Sequence, residues 1–222
     1  MMSHYKYPRT PHLTWSHATN DDRVLSSHDH FSGMQVVVTK KLDGESCSMY
    51  SDHIHARSID GKDHPTRHWV KLLHARVRYD IPEGWRVCGE NLYAMHSIYY
   101  HYLPSYFLVY SIWNENNVCL TWEQTKEWAT LLGLLTVPEL YVGEWDEGKI
   151  KQCWAGKSRF GDMQEGYVVR NKNSFPYDQF ALNVAKYVRA NHVQTDSHWM
   201  SQQIFPNRLE IGHESSRIAY DA

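Results

Sequence analysis

A short β-branched segment that runs into a lysine and an Asp-Gly pair constrains the fold of this chain more than any other feature. Residues 35–40 read Gln-Val-Val-Val-Thr-Lys, a composition typical of a buried strand. Residues 46–50 read Ser-Cys-Ser-Met-Tyr and form a second candidate strand. Asp43-Gly44 lies between the two segments, and this dipeptide is a common hairpin turn. The pattern therefore predicts a β-hairpin with Lys41 at its mouth.

Strand-like segments recur along the chain, and two predicted helices interrupt them. One helix begins near Pro65-Thr66, because proline suits the first helical turn. The other begins at Thr121 with Gln124 three residues later, which is the pattern of a capping box, and ends at Gly133. Further strands are predicted at residues 53–58, 85–91, 106–113, 139–142, 166–170 and 180–189. The fold class that follows is α+β, with mainly antiparallel β-sheets and flanking helices.

The 222 residues contain no repeat, low-complexity tract or linker, which indicates a single domain over residues 1–222. From about residue 193 the composition becomes polar, and we expect a short C-terminal helix and a tail instead of a separate C-terminal domain. The apolar residues of that helix are Trp199, Met200, Ile204 and Phe205. No apolar segment reaches the roughly 18 residues of a membrane span and no secretory signal is visible, so we expect a cytoplasmic protein without a membrane partner.

Lys41 is a candidate nucleophile, and this role requires a special environment. The reference pKa of lysine is about 10.4, so the amine is normally protonated near neutral pH. Burial at the end of the strand, with a divalent metal or basic neighbours nearby, would lower that pKa. Lys40 and Lys41 are adjacent, so on a strand they point to opposite faces and only one of them enters a pocket. The spacing to Asp43-Gly44 favours Lys41.

The pattern Lys-x-Asp-Gly is weak by itself, but further segments accompany it in a fixed order. They are Lys-Leu-Asp-Gly-Glu-Ser at 41–46, His-Ala-Arg-Ser at 55–58, Gly-Glu-Asn-Leu-Tyr-Ala at 89–94, Phe-Leu-Val-Tyr-Ser-Ile at 107–112, Glu-Gly-Tyr-Val-Val-Arg at 165–170 and Val-Ala-Lys-Tyr-Val at 184–188. Together they resemble the motifs of the covalent nucleotidyltransferases, which comprise ATP-dependent DNA ligases, RNA ligases and mRNA capping enzymes. The second and third segments, with His96-Ser97-Ile98 following, are similar to the phage-type RNA ligase 2 branch. The resemblance covers about residues 35–190 and implies a nucleotidyltransferase domain of the ATP-grasp-like ligase type.

The resemblance also implies a role for each matched side chain. The catalytic residues it implies are Lys41, Asp43, Arg57, Glu90, Glu165 and Lys186. The implied contacts to ATP are Thr39, Lys40, Lys41, Arg57, Glu90, Tyr110 and Lys186, with Tyr110 stacked on adenine and Lys186 on the α-phosphate. The implied ligands of Mg²⁺ or Mn²⁺ are Glu165, Glu90 and Asp43, whose carboxylate oxygens suit these ions. The implied RNA contacts are Arg57, Arg170 and Arg189.

Plainer interpretations of several of these residues stay open from the sequence alone. Glu165 and Arg170 could be an exposed turn residue and a strand-end cation. Tyr110 lies in an aromatic strand where core packing is the commoner role, and Arg57 could pair with Glu90 across neighbouring strands. The basic residues around the first predicted helix, expected to form a solvated face, are Arg67, Lys71, Arg76 and Arg78.

The expected function is an ATP-dependent RNA ligase that forms lysyl-AMP on Lys41 and joins RNA 5′-phosphate and 3′-OH ends, with a nicked duplex as the expected partner. A small ATP-dependent DNA ligase, a non-catalytic nucleotide- or RNA-binding homologue and a GTP-using capping enzyme are the alternatives. One departure from the family concerns its final motif, whose two alternating lysines correspond here to Lys186 and Val188. The net charge of −2 means that RNA would be bound by a local basic surface. Because the RNA ligase 2 branch generally carries a further C-terminal domain, end joining is expected to depend on how the catalytic domain alone, or an oligomer, holds the duplex.

Overall fold

The strands and helices of the fold are those of a computed structural model that describes residues 3–59, 63–190, 192 and 203–210. The strands in this part of the chain are β1 Gln35–Lys41, β2 Glu45–Met49, β3 Ile54–Ala56, β4 Arg86–Asn91, β5 Phe107–Trp113, β6 Val118–Cys119, β7 Leu135–Thr136, β8 Glu139–Glu144, β9 Lys157–Ser158, β10 Gly161–Met163, β11 Gly166–Asn171, β12 Phe175–Pro176 and β13 Val184–Val188. The α-helices are α1 His68–Val77, α2 Trp122–Leu131, α3 Glu147–Gln152 and α4 Phe180–Asn183. None of these helices is long and apolar enough to cross a bilayer.

Two sheets carry the fold, and almost all of their strand pairs are antiparallel. The first has the order β13-β11-β1-β8. The second has the order β12-β6-β5-β4-β2-β3, with β7 added in parallel beside β5. Strands β9 and β10 form a small separate pair. The α+β class with mainly antiparallel sheets is therefore confirmed.

The Asp43-Gly44 connection passes from one sheet to the other, so the predicted hairpin is wrong. Strand β1 pairs with β11 and β8, whereas β2 pairs with β3 and β4. Gly44 has no positive φ, which the usual two-residue hairpin turn at Asp-Gly requires of its glycine. A Cβ atom at Gly44 would lie 2.5 Å from the carbonyl oxygen of Asn91. The glycine is thus needed for close packing against β4, and the crossover places Lys41 between the sheets.

Strand β1 is buried on both faces and joins two hydrophobic cores. Val37 packs into the larger core, which includes α1 and α2 residues, and Val36 and Val38 pack into a second core with Phe31 and Ile150. Successive side chains of a strand point to opposite faces, which explains this division. All three valines are fully buried. Burial of each valine contributes roughly 1.5–3 kcal/mol, so the strand that ends at Lys41 is firmly held.

The two longer helices agree with the sequence in position and differ in detail. Helix α2 has the predicted capping box between Thr121 and Gln124. Helix α1 begins after a 3₁₀ turn at Pro65–Arg67. Leu72 of α1 is 49% exposed, because the buried stripe of this helix includes His74 instead. The imidazole of His74 shares a hydrogen bond of 2.6 Å with the carbonyl oxygen of Tyr50, which satisfies a polar group on the buried face.

Two predicted elements near the end of the chain are corrected. The strand predicted over 180–189 divides into the single-turn helix α4 and strand β13. Ile204 and Phe205 have no helical structure, and Trp199 and Met200 lie outside the described residues. Residues 203–210 instead form short bridges to Ala94 and Leu103. The apolar residues of this segment predicted a helix, but Phe205 is 52% exposed and its carbonyl oxygen accepts a hydrogen bond from the N–H of Met95, so the segment is extended where it contacts the core.

Candidate active site

Lys41 lies between two adjoining clefts. The first has a volume of about 470 Å³ and includes Thr39, Glu90 and Tyr110 in its lining. The second has a volume of about 420 Å³ and includes Glu165 in its lining. Lys41 and Lys186 line both clefts. Residues predicted from separate sequence segments therefore line the clefts around this lysine. They include Thr39, Lys40, Arg57, Glu90, Tyr110, Glu165, Arg170, Lys186 and Arg189.

The register of the first sheet explains why these residues meet. Lys41 at the end of β1 is paired with Gly166 of β11, and Val168 of β11 is paired with Lys186 of β13. Glu165 directly precedes β11 and so lies beside Lys41. A Cβ atom at Gly166 would lie 1.9 Å from the carbonyl oxygen of Tyr187, so only glycine permits this approach of β11 to β13.

The ammonium group of Lys41 forms a hydrogen-bonded ion pair with the carboxylate of Glu165. Burial by itself lowers the pKa of Lys41, but the charges of Glu165, Glu90 and Asp43 outweigh it and raise that pKa above its ordinary value. The prediction that the pKa of Lys41 is lowered is therefore wrong while these three carboxylates surround the amine. Glu165 is 3% exposed, so the interpretation as an exposed turn residue is also wrong.

Lys40 points away from Lys41, as alternation along a strand predicts. Its ammonium group donates a hydrogen bond to the Ser158 hydroxyl and lies 4.6 Å from the centre of the Phe160 ring. Burial, with a smaller effect of the neighbouring charge of Arg159, lowers the pKa of Lys40 to about 8. Lys40 borders the first cleft. Its side chain is directed towards Ser158, however, and this orientation does not support the predicted contact to the nucleotide.

Asp43 is oriented by the loop that follows β4. Its Oδ2 atom accepts hydrogen bonds from the backbone N–H of Ser97 at 2.7 Å, the Ser97 hydroxyl at 2.8 Å and the backbone N–H of Ile98 at 2.8 Å. Burial raises the pKa of Asp43, but the Ser97 hydrogen bonds and the charge of Lys41 outweigh burial and lower it. The carboxylate is therefore ionised and fixed, with Oδ1 directed towards His192.

Three side chains could hold a divalent metal at this point. Asp43, Glu165 and His192 each place one ligand atom within 4.8 Å of the others. The Nε2 atom of His192 lies 3.3 Å from Glu165 Oε1 and 3.8 Å from Asp43 Oδ1. Two carboxylates and an imidazole form a donor set that suits a divalent cation. Asp43 and Glu165 were predicted as metal ligands, whereas His192 was missed because it lies beyond the final recognised motif.

Glu90 is outside this cluster, although it was predicted to bind the metal. Burial raises the pKa of Glu90 to about 8, with the charges of Glu165 and Asp43 adding to the effect and that of Lys41 opposing it. A carboxyl group that is largely protonated near neutral pH is a poor metal ligand. It can donate a hydrogen bond, which fits the other predicted role of Glu90, a contact to ATP.

The deep end of the first cleft is aromatic and includes a residue that the sequence did not indicate. The hydroxyl groups of Tyr110 and Ser46 share a hydrogen bond of 2.7 Å. Tyr7 packs edge-on against Tyr110, with 4.9 Å between ring centres, and against Phe180 at 5.3 Å. Tyr7 lies in an N-terminal segment without regular structure, and only its aromatic character could have indicated it. Tyr110 is half-buried and borders the cleft, so it both packs and leaves a ring surface for a base.

Of the basic residues that the sequence singled out, Arg57 lies at the first cleft, whereas Arg170 and Arg67 are held by other groups of the protein. Arg57 is exposed at the first cleft and forms no ion pair with Glu90 in the described part of the chain. Arg170 is 4% exposed and donates to the carbonyl oxygen of Leu120 at 2.7 Å, so its predicted RNA contact is not supported. Arg67 is not part of a solvated face, because its Nε donates to Glu45 Oε2 at 2.8 Å and its second nitrogen completes a bidentate pair.

The N-terminal segment runs along β13 and contributes to the second cleft. The backbone of Lys186 donates to the carbonyl of Pro11 at 2.9 Å and accepts from the N–H of Leu13 at 2.8 Å. Burial and the charge of Lys41 lower the pKa of Lys186 to about 8. Val188 lines the second cleft where the family has its second lysine. The other potential cations lining this cleft are His12, His17, Arg189 and His192.

Residues 34–188 match the family model described as RNA ligase. A point mutant of the Naegleria gruberi RNA ligase with ATP and Mn is 17% identical at a TM-score of 0.52, over 73% of this chain and 52% of that chain. A mutant without ligand is 16% identical at a TM-score of 0.55, over 83% of this chain and 58% of that chain. A third, with AMP and Mn, is 16% identical at a TM-score of 0.53, over 84% and 62%. These likenesses show a shared fold. A search of curated proteins found no match to the chain. The chain thus covers between 52% and 62% of the length of these three structures.

Proposed function

The chain belongs to the RNA ligase family, and from this premise we propose that it is an ATP-dependent RNA ligase that carries AMP on Lys41. The observation that carries the proposal is the position of Lys41 between an aromatic cleft and a carboxylate cleft, with Lys186 lining both. A nucleoside in the first cleft would place its phosphates beside Lys41 and Lys186. The Naegleria gruberi structures that hold ATP and Mn, or AMP and Mn, support the same choice of nucleotide and metal.

The proposed reaction has three transfers at phosphorus. The neutral amine of Lys41 attacks the α-phosphorus of ATP, a P–N bond forms, and the bond to pyrophosphate breaks. An oxygen of an RNA 5′-phosphate then attacks the same phosphorus, which releases Lys41 and leaves AMP on the RNA end. Finally a 3′-hydroxyl attacks the RNA 5′-phosphate, and AMP departs as the phosphodiester forms. Such transfers depend mainly on positioning and on charge opposite the phosphate oxygens.

The side chains of this chain supply that positioning. Tyr110 offers a ring surface for adenine, a contact worth about 1–3 kcal/mol in nucleic-acid binding sites. Lys186 lies beside Lys41 and provides a point charge for the α-phosphate. Arg57 at the exposed edge of the first cleft is positioned for the incoming RNA end. A divalent cation held by Asp43 and Glu165 would neutralise phosphate charge and draw Glu165 away from the Lys41 ammonium group.

Labelling with the four radioactive nucleoside triphosphates, followed by joining of nicked duplexes, tests the proposal. We expect ATP alone to label the protein, and a nick with a ribose 3′-OH to be sealed faster than one with deoxyribose. Labelling by GTP would indicate a capping enzyme, and preference for the deoxyribose nick would indicate a DNA ligase. Binding of ATP without any label would indicate a non-catalytic homologue and would overturn the proposal.

The length of the duplex on each side of the nick tests a second part of the proposal. We propose that nick sealing by this chain depends on contacts to the duplex on both sides of the nick, made by this domain or by an oligomer. A series of nicked duplexes with shorter flanks should lose sealing while nucleotide labelling stays constant. Equal sealing of all lengths would contradict this dependence.

A further inference from the structure

His192 brings an imidazole nitrogen to the two carboxylates at which the sequence predicted a metal. Its Nε2 atom lies 3.3 Å from Glu165 Oε1 and 3.8 Å from Asp43 Oδ1. We propose that His192 is a third protein ligand of the divalent cation held by Asp43 and Glu165, and that it makes the site prefer Mn²⁺ to Mg²⁺. The inference rests on the proposed function only for the role of the metal, because metal binding itself is measured without nucleotide or RNA.

The first argument is the fixed orientation of Asp43. All three hydrogen bonds from Ser97 and Ile98 go to Oδ2, so this oxygen is fully engaged. The other oxygen, Oδ1, faces His192. Hydrogen bonds behind a ligand commonly set its direction in metal sites. Asp43 therefore presents one defined oxygen to the position between His192 and Glu165.

The second argument is the unsatisfied oxygen of Glu165. The residue is 3% exposed, and its Oε2 atom is buried without a hydrogen-bond partner among the described residues. Leaving a buried polar atom unpaired is unfavourable, and more so when the group is charged. Its other oxygen contacts both Lys41 and His192. A cation beside this carboxylate would satisfy the unpaired oxygen, which nothing else in the described structure does.

The third argument is the chemistry of the donor set. Mg²⁺ prefers oxygen ligands in regular octahedral geometry and usually keeps several waters. Imidazole nitrogen is a good ligand for transition metals, and affinities for a given nitrogen- and oxygen-containing site rise from Mn²⁺ to Cu²⁺ and fall again at Zn²⁺. A ring nitrogen at the position of His192 Nε2 therefore improves binding of Mn²⁺ more than that of Mg²⁺. His192 lies outside the matched family segment at residues 34–188, so the family match does not itself assign this ligand.

Titration of the full-length protein with Mn²⁺, followed by electron paramagnetic resonance, tests this inference. The variant His192→Ala is compared with wild type and with His68→Ala, which removes an exposed histidine of α1. We expect His192→Ala to weaken Mn²⁺ binding by about tenfold, in the range found when groups that support a metal site are removed. Competition with Mg²⁺ measures the affinity for that ion, which should differ by less than about threefold between wild type and His192→Ala. The ratio of the Mn²⁺ affinity to the Mg²⁺ affinity should therefore fall in the variant. His68→Ala should behave as wild type.

One further variant and a folding control keep the outcome interpretable. Asp43→Asn should weaken the binding of both Mn²⁺ and Mg²⁺, which identifies the site. Circular dichroism melting reports whether each variant is folded. Equal Mn²⁺ affinity and an equal ion ratio in wild type and His192→Ala would overturn the inference. The nucleotide label is scored separately. A protein that never takes up AMP, yet loses Mn²⁺ affinity in His192→Ala, would contradict the proposed function and leave the ligand assignment intact.

Discussion

The Lys41 ammonium group donates a hydrogen bond to the buried Glu165 carboxylate, so the proposed nucleophile and a proposed metal ligand form one ion pair. Glu165 therefore has two competing uses. Paired with Lys41, it helps to keep the pKa of the amine raised and the amine protonated. Engaged with a cation, it would release the amine for attack. The proposed nucleotide transfer and metal binding would then be coupled through this one carboxylate.

A double-mutant cycle of Lys41→Met and Glu165→Gln measures this ion pair. Removing one partner leaves the other buried group uncompensated, whereas removing both relieves that cost. We expect the double variant to be more stable than the sum of the single effects predicts, by about 1–3 kcal/mol. Urea unfolding of the four proteins gives the free energies. A coupling energy near zero would show that the pair contributes nothing, and the exposed pair of Lys71 and Asp63 is a suitable control cycle.

Lys40 makes stability depend on pH in a defined direction. Its folded-state pKa is about 8, below its ordinary value of 10.5, so between these values the unfolded chain binds more protons than the folded chain. The destabilisation that the buried Lys40 ammonium group causes should therefore shrink through this range. The variant Lys40→Met lacks this contribution and should gain relative to wild type at pH 7. Its advantage should shrink by pH 10, as measured by urea midpoints at both pH values. A constant difference would contradict the lowered pKa.

Tyr7 is expected to support the nucleobase site from the N-terminal segment. Its ring packs edge-on against Tyr110, and Tyr7→Ala removes that support. We expect the dissociation constant for ATP to rise about tenfold, which corresponds to about 1.4 kcal/mol. Isothermal titration calorimetry measures the constant directly. Tyr79→Ala, at an exposed tyrosine, should leave ATP binding unchanged. Unchanged binding in Tyr7→Ala as well would remove Tyr7 from the site.

Gly44 should tolerate no side chain. A Cβ atom there would meet the carbonyl oxygen of Asn91 at 2.5 Å, so Gly44→Ala forces the Lys41 connection to move. We expect a stability loss of about 1–3 kcal/mol and a large loss of AMP transfer. Gly148→Ala is the control, because a Cβ atom there meets only Asp146 Oδ1 at 3.3 Å. Thermal melting and nucleotide labelling of both variants make the comparison, and equal behaviour would contradict the packing argument.

Local patterns predicted most of the elements, because they depend on neighbouring residues. The β-branched run at 35–40 lies in β1, and the Thr121–Gln124 capping box begins α2. Long-range pairing was not visible in the same way. Asp43-Gly44 has the composition of a hairpin turn, yet β1 and β2 pair in different sheets. The choice between a hairpin and a crossover is made by distant strands such as β11 and β4.

The candidate site was likewise predictable only in part from the sequence. Ordered motifs indicated Lys41, Glu165 and Lys186, and the sheet register brings them together. Tyr7 and His192 had no motif to mark them, since they reach the site through the docking of irregular segments. The pKa values could not be predicted either. Lys40 was set aside in favour of Lys41, yet burial lowers the pKa of Lys40, while nearby carboxylates raise that of Lys41.

Mass spectrometry of the protein after incubation with ATP and Mn²⁺ tests the central claim most directly. We predict that an AMP-sized mass is added to the wild type and that peptide mapping places it on Lys41. The adduct should persist in Lys40→Met, because that side chain is directed to Ser158. It should be absent in Lys41→Met. An adduct that survives in Lys41→Met, or a wild type that never gains the mass, would contradict the account.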